Sequence, residues 1–193
     1  MPSVVMLLRH AEKPLGDGPP HGVTIDGTLD PESLTPRGWQ RAGAMVGLFV
    51  PGGPGDPGST APRLPTPTHL FASQIGGGSS QRPRETLLPL GERLGREVDS
   101  HFRKEDVGQL VGAVRAIDGV VLIAWEHHLI PSIANLLAGD ASRVPQIWPD
   151  DRFDLVWVFG GASPAGGREF REVPQMLLAG DLPTTIGTAA TET

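Results

Sequence analysis

Three short stretches hold the side chains best suited to chemistry: Arg9-His10, the segment from Ser73 to Arg82, and Glu126-His127-His128. In each, the functional groups directly follow an apolar run, where a side chain reaches the ligand-binding edge of a sheet. A neutral imidazole at such a place is a competent nucleophile toward phosphorus and forms a covalent intermediate that water hydrolyses. Arg9 beside His10 disfavours the imidazolium, because like charges repel, and so keeps a ring lone pair free. A histidine there can also be a packed or capping residue, and only its place at the strand end gives the chemical reading weight. His127 follows a second apolar run and precedes a helix, whose start offers free N–H groups and a positive dipole end to an anion. Of the adjacent pair, His127 is nearer the strand end and is taken as the phosphoryl donor, with His128 turned aside. Arg82 opens a helix after a Gly/Ser loop, and its guanidinium fork matches two phosphoryl oxygens at once. Arg84, two residues on, faces elsewhere on a helix, and an isolated arginine is more often a surface residue.

Placing these groups together requires strands that end side by side. Val4 to Leu8 is continuously apolar, the pattern of a buried parallel strand, and Gly119 to Trp125 repeats it. His69 to Ser73 is a short strand between them, and another lies near Val98. Thr35-Pro36 starts a helix with Thr as N-cap, and Trp39, Ala42, Val46 and Phe49 share one of its faces. A second helix runs from Arg82 to about Leu94 with an expected kink at Pro89. A third carries Val107, Leu110, Val111 and Val114 at helical spacing, with Glu105 and Asp106 at its start, where acids favour the dipole. A fourth has Pro131 in its first turn and Ile130, Ile133, Ala134 and Leu137 as its stripe. Phe153–Phe159 and Arg168–Val173 read as two late strands that add an antiparallel edge. Strands alternating with helices predict an α/β fold with a mixed, mostly parallel sheet covered on both faces.

The length of 193 residues suits one domain over 1–193, and the 26 Gly and 20 Pro concentrate in connections. Residues 51–67 read as a Pro/Gly-rich surface insertion, residues 14–34 and 75–81 as loops walling the site, and the chain from about 182 as frayed. With no cysteine, disulfides, thiolate metal sites and cysteine nucleophiles are excluded. The net charge of −6 with scattered basic residues leaves no nucleic-acid footprint. No apolar run reaches the ~18 residues of a membrane span. The apolar stretch near Met1 is too short for a signal peptide and has no basic n-region, so a cytoplasmic location is the expectation. A zinc hydrolase could be built on His10, His127 and His128, and His10-x-Glu12 matches part of a deaminase signature. The chain lacks the PCxxC that signature needs, and it lacks HExxH. Neither a metal nor a cofactor is expected.

Taken together, LLRHAEKP at 7–14, SLTPRGWQRAG at 33–43, RPRETL at 82–87 and WEHHLIP at 125–131 resemble the histidine phosphatase superfamily, over roughly residues 3–160 and in the family's order. The resemblance implies a three-layer α/β/α sandwich and a pocket of two arginines and two histidines. By position it gives Arg9 and His10 after the first strand, with His10 phosphorylated in turnover. Arg82, four residues before Thr86, and His127, after the last parallel strand, complete the set. It implies a phosphatase acting on a small phosphorylated substrate through phosphohistidine. An anion sensor on the same fold and a phosphoglycerate-mutase-type phosphoryl transferase are the alternatives. The sequence departs from the family at Glu126, where relatives often have a small residue. It departs again at the general acid, which many relatives supply after the third strand. Here that segment is Ser100 to Asp106, so Glu105 is a candidate, with Glu12 and Glu126 as others.

Overall fold

The computed structural model describes residues 1–50, 64–76, 80–162 and 167–187. Its centre is a six-stranded sheet in the order β3-β2-β4-β1-β5-β6. The strands are β1 (Val4–Arg9), β2 (His69–Ala72), β3 (Val98–Asp99), β4 (Val120–Trp125), β5 (Leu155–Ala162) and β6 (Arg168–Pro174). The first four are parallel, β5 runs antiparallel to β1, and β6 antiparallel to β5. The fold is thus α/β with a mixed, mostly parallel sheet, as the sequence predicts.

Side-chain alternation along β1 and β4 divides the core in two. Val5, Leu7, Val121, Ile123 and Trp125 pack on one face with α3 (Val107–Ala116) and α4 (Ile130–Ala138). Met6, Leu8, Leu122 and Ala124 pack on the other with α1 (Pro36–Phe49) and α2 (Arg82–Leu94). Two helices on each face make the three-layer sandwich. The chain leaves β1 toward α1 on one face and leaves the adjacent β4 toward α4 on the other. A crevice therefore opens between the carboxyl ends of β1 and β4, the place where ligands bind in such sheets.

The helix starts follow local rules. Thr35 caps α1, its hydroxyl accepting the N–H of Gly38 at 3.2 Å, and Pro36 is the first helical residue. The buried stripe of α1 is rotated from the predicted one: Gly38, Arg41, Ala42, Met45, Leu48 and Phe49 are buried, while Trp39 and Val46 sit at its margin. The rotation brings Gly38 and Arg41 against the loop that follows β1. Asp106 begins α3 without a capping bond, because Arg103 takes its carboxylate at 2.9 and 3.0 Å. β5 begins at Leu155 rather than Phe153, whose ring turns toward Arg9 instead.

Two connections differ from expectation. Of the insertion at 51–67, residues 51–63 lie outside the described part, but Leu64 is buried in the core. Residues 182–187 are anchored: Leu182 N–H donates to Asp154, Arg152 to the Thr184 carbonyl, and Ile186 and Gly187 N–H to Glu172.

Candidate active site

Residues 10–13 follow β1 and are fixed from three directions. His10 N–H bonds the Trp125 carbonyl of β4 at 3.1 Å. Ala11 N–H donates to the Thr86 hydroxyl at 2.8 Å, and that hydroxyl donates to the Arg82 carbonyl at 2.7 Å, joining the loop to the first turn of α2. The Glu12 carbonyl accepts from the Thr35 N–H at 3.0 Å. A Cβ at Gly38 would lie 2.5 Å from that same carbonyl oxygen, so only glycine lets α1 approach so closely.

His10 is buried, and its Nδ1 lies 2.8 Å from the Ala11 carbonyl. A carbonyl can only accept, so Nδ1 carries the proton and Nε2 carries the lone pair. Burial pushes the His10 pKa well below its ordinary 6.5, and the charges of Arg9, Arg82 and Lys13 push the same way against the Ala11 carbonyl. The ring is thus held neutral in one tautomer, with its lone pair on Nε2.

Arg9 is buried, and its guanidinium stacks over Phe153, 3.9 Å from the ring centroid. One terminal nitrogen donates to the carbonyls of Pro149 and Asp150 at 3.2 and 2.5 Å, while the buried Nε and the other terminal nitrogen have no partner. Burial lowers its pKa to about 10, against the pull of Asp150 and Asp151, so it stays charged at neutral pH. Arg82 donates to the Pro31 carbonyl at 2.9 Å and keeps a buried, unpartnered Nε. Unmade hydrogen bonds on buried guanidinium groups are costly, and an anion between them would complete them.

His127 lies in the turn between β4 and α4, its Nε2 2.6 Å from the exposed carboxylate of Asp150. Burial and Arg9 lower its pKa, and Asp150 opposes them. His128 is the outer of the pair at 58% exposed, against 17% for His127. Both histidines, His10 and Arg82 line one cavity of about 140 Å³. Arg9 does not line it; the Phe153 ring that it stacks over lies 6.2 Å from the His10 ring, centroid to centroid.

Of the three candidate acids, Glu126 lines this cavity, 3.8 Å from Lys104 and 3.6 Å from His128. Glu12 lines a different cavity, of about 270 Å³, where Arg37 and Arg41 hold it. Glu105 is exposed and lines neither. Sequence reasoning misses Lys13, Glu32, Ser80 and Lys104, which also line the His10 cavity, and Asp150. Lys13 lies in the stretch already singled out and could have been found from its distance to His10. Asp150 comes from a polar loop whose sequence gives no sign of it. Among the described residues, no three His, Asp or Glu side chains are grouped to hold a metal ion, and no helix is long and apolar enough to cross a membrane.

No protein-family model and no curated protein matches the chain. Among solved structures, the chain is similar to an Agrobacterium tumefaciens protein assigned as the phosphohistidine phosphatase SixA, at 15% identity and a TM-score of 0.47, over 88% of this chain and 97% of that one. It is also similar to a mycobacterial glucosyl-3-phosphoglycerate phosphatase in complex with VO3, at 16% identity and a TM-score of 0.49, over 90% and 98% of the two chains.

Proposed function

We propose that the chain is a phosphohydrolase of the histidine phosphatase type, acting on a small phosphate monoester or related phosphoryl compound. The observation that carries this reading is the His10 ring, with Nδ1 tied to a carbonyl and Nε2 free, beside two arginines whose buried N–H groups lack partners. Nε2 attacks phosphorus in line as the bond to the leaving oxygen breaks. That oxygen takes a proton from Glu126 or from water. Water then attacks the phosphohistidine, the P–N bond breaks, and inorganic phosphate leaves. Arg9, Arg82 and His127 hold the three non-bridging oxygens, where fixed charge stabilises the transition state. Substrate phosphate displaces the Asp150 carboxylate from His127.

One observation favours the anion-sensor alternative: Glu126, the candidate acid that lines the cavity, already faces Lys104 at 3.8 Å and His128 at 3.6 Å. p-Nitrophenyl phosphate, whose leaving group needs no acid, separates the two readings. Turnover in the presence of EDTA, with acid-labile, base-stable phosphate trapped on His10 and lost in His10→Ala, is expected. Phosphate trapped on another residue, or vanadate binding without any turnover, would overturn the proposal. Activity that EDTA removes and zinc restores would point to a metal hydrolase instead.

A further inference from the structure

The proposed chemistry assigns Arg9, Arg82 and His127 to the three non-bridging oxygens of one phosphoryl group, which leaves another cation of the cavity without a task. Lys13 is half-buried, lines the cavity with His10, and makes no hydrogen bond or ion pair among the described residues. The two carboxylates of the same cavity already face cations: Glu32 lies 3.5 Å from Arg82, and Glu126 lies 3.8 Å from Lys104. Lys13 is the cation that no described carboxylate meets. Its charge bears on His10, and it lines a different cavity from Glu12. An ammonium that lines a cavity without a carboxylate partner gains a charge-assisted hydrogen bond when an anion comes to it.

The cavity walls narrow the ligand further. Among the described residues, no aliphatic side chain and no Phe or Trp lines this space, whose volume of about 140 Å³ is below the ~300–1,000 Å³ typical of drug-sized ligands. An aryl, nucleobase or acyl leaving group would find no aliphatic, Phe or Trp side chain of the described residues to pack against. We propose that Lys13 receives a second anionic group of the substrate, a carboxylate or a second phosphate carried on a short polar skeleton. This rests on the phosphohydrolase reading of the same site and extends it to the leaving group.

The test is binding of small phosphonates to the whole protein by titration calorimetry. Wild type binds phosphonoacetate about tenfold or more tightly than methylphosphonate, the scale of one hydrogen bond to a charged group. Methylenediphosphonate, titrated third, tells whether the second group is better a carboxylate or a phosphate. Lys13→Met brings the preference below about threefold, and Lys13→Arg, which keeps the charge, retains it. Lys13→Gln replaces Lys13→Met if that variant fails to fold. A wild-type preference near one, no binding of either ligand, or a preference that the neutral variants leave intact overturns the assignment. Turnover of p-nitrophenyl phosphate by the same wild-type sample is scored separately. An intact preference without turnover keeps the Lys13 assignment and removes the phosphohydrolase reading, and turnover without a preference does the reverse.

Discussion

Arg9 and Arg41 are both buried, at 1% and 3% exposure, and the protein treats them in opposite ways. Every N–H of Arg41 is taken: Glu12 and Asp181 each accept twice or more at 2.7 to 3.1 Å, and Gln175 accepts once at 3.1 Å. Arg9 donates through one terminal nitrogen only, with its other two nitrogens unpartnered. Burial lowers the pKa of each. At Arg41 the carboxylates overcome burial and raise it, whereas at Arg9 burial prevails and the value falls to about 10. A buried arginine completed by its own chain is a structural tie. One left incomplete keeps buried N–H groups that an incoming acceptor can satisfy.

The sharpest way to break this comparison is to remove one arginine from each side. Arg41→Ala leaves the buried Asp181 side chain without its cation and Glu12 with Arg37 alone, and should cost about 3–5 kcal/mol in denaturant unfolding. Arg82→Ala should lower kcat/KM by about 10²–10³ and leave stability within about 1 kcal/mol, as expected of a partly exposed ion pair. If Arg82→Ala unfolds the protein while its remaining folded fraction keeps full activity, the two regions do not differ as described.

A smaller effect distinguishes the histidines. His127→Asn removes a donor of similar volume and should lower kcat/KM by about 10², measured with p-nitrophenyl phosphate. His128→Asn, at the more exposed position, should lower it far less. The reverse order would make His128 the phosphoryl donor and shift the turn after β4 by one residue.

The smallest effect is one of pH. His10 has its folded pKa below the unfolded value near 6.5, so below 6.5 the unfolded chain binds the extra proton. Stability from this group is therefore complete above 6.5 and declines as pH falls from 6.5 toward the folded value. Urea unfolding of wild type and His10→Asn at a series of pH values should show that slope in the difference. The acid limb of kcat/KM should likewise lie below 6.5, and a limb at 6.5 itself would mean that His10 is not held neutral.

The strands and helices were legible because their signals are local. The apolar runs 4–8 and 119–125 can only be buried strands, and Thr35-Pro36 starts a helix by its own chemistry. Arg9, His10, Arg82 and His127 were legible as candidates because each stands where an element begins or ends. The Arg41 cluster was not. A lone arginine in a helix looks solvated, and its partners Glu12 and Asp181 lie near opposite ends of the sequence. The unpartnered nitrogens of Arg9 were invisible for the same reason, since a missing bond has no sequence. The predicted stripe of α1 erred because it scored apolar side chains, while the true stripe includes a glycine chosen for close approach and a charge chosen for its partners.

The position of β1 in the sheet has a consequence for the chain as it is made. β1 is the first strand synthesised, yet both of its neighbours come late: Val4 pairs with Val120 and Val5 with Phe159. From the ribosome onward, an apolar segment waits without a partner while more than a hundred residues are added, at about 5–20 residues per second. During that interval Met6, Leu7 and Leu8 are the segment a chaperone would find, and the edge on which two nascent copies could join. His10, at the end of β1, is thus made before any other strand of the described sheet, and its surroundings are complete only after β5 has closed the other side.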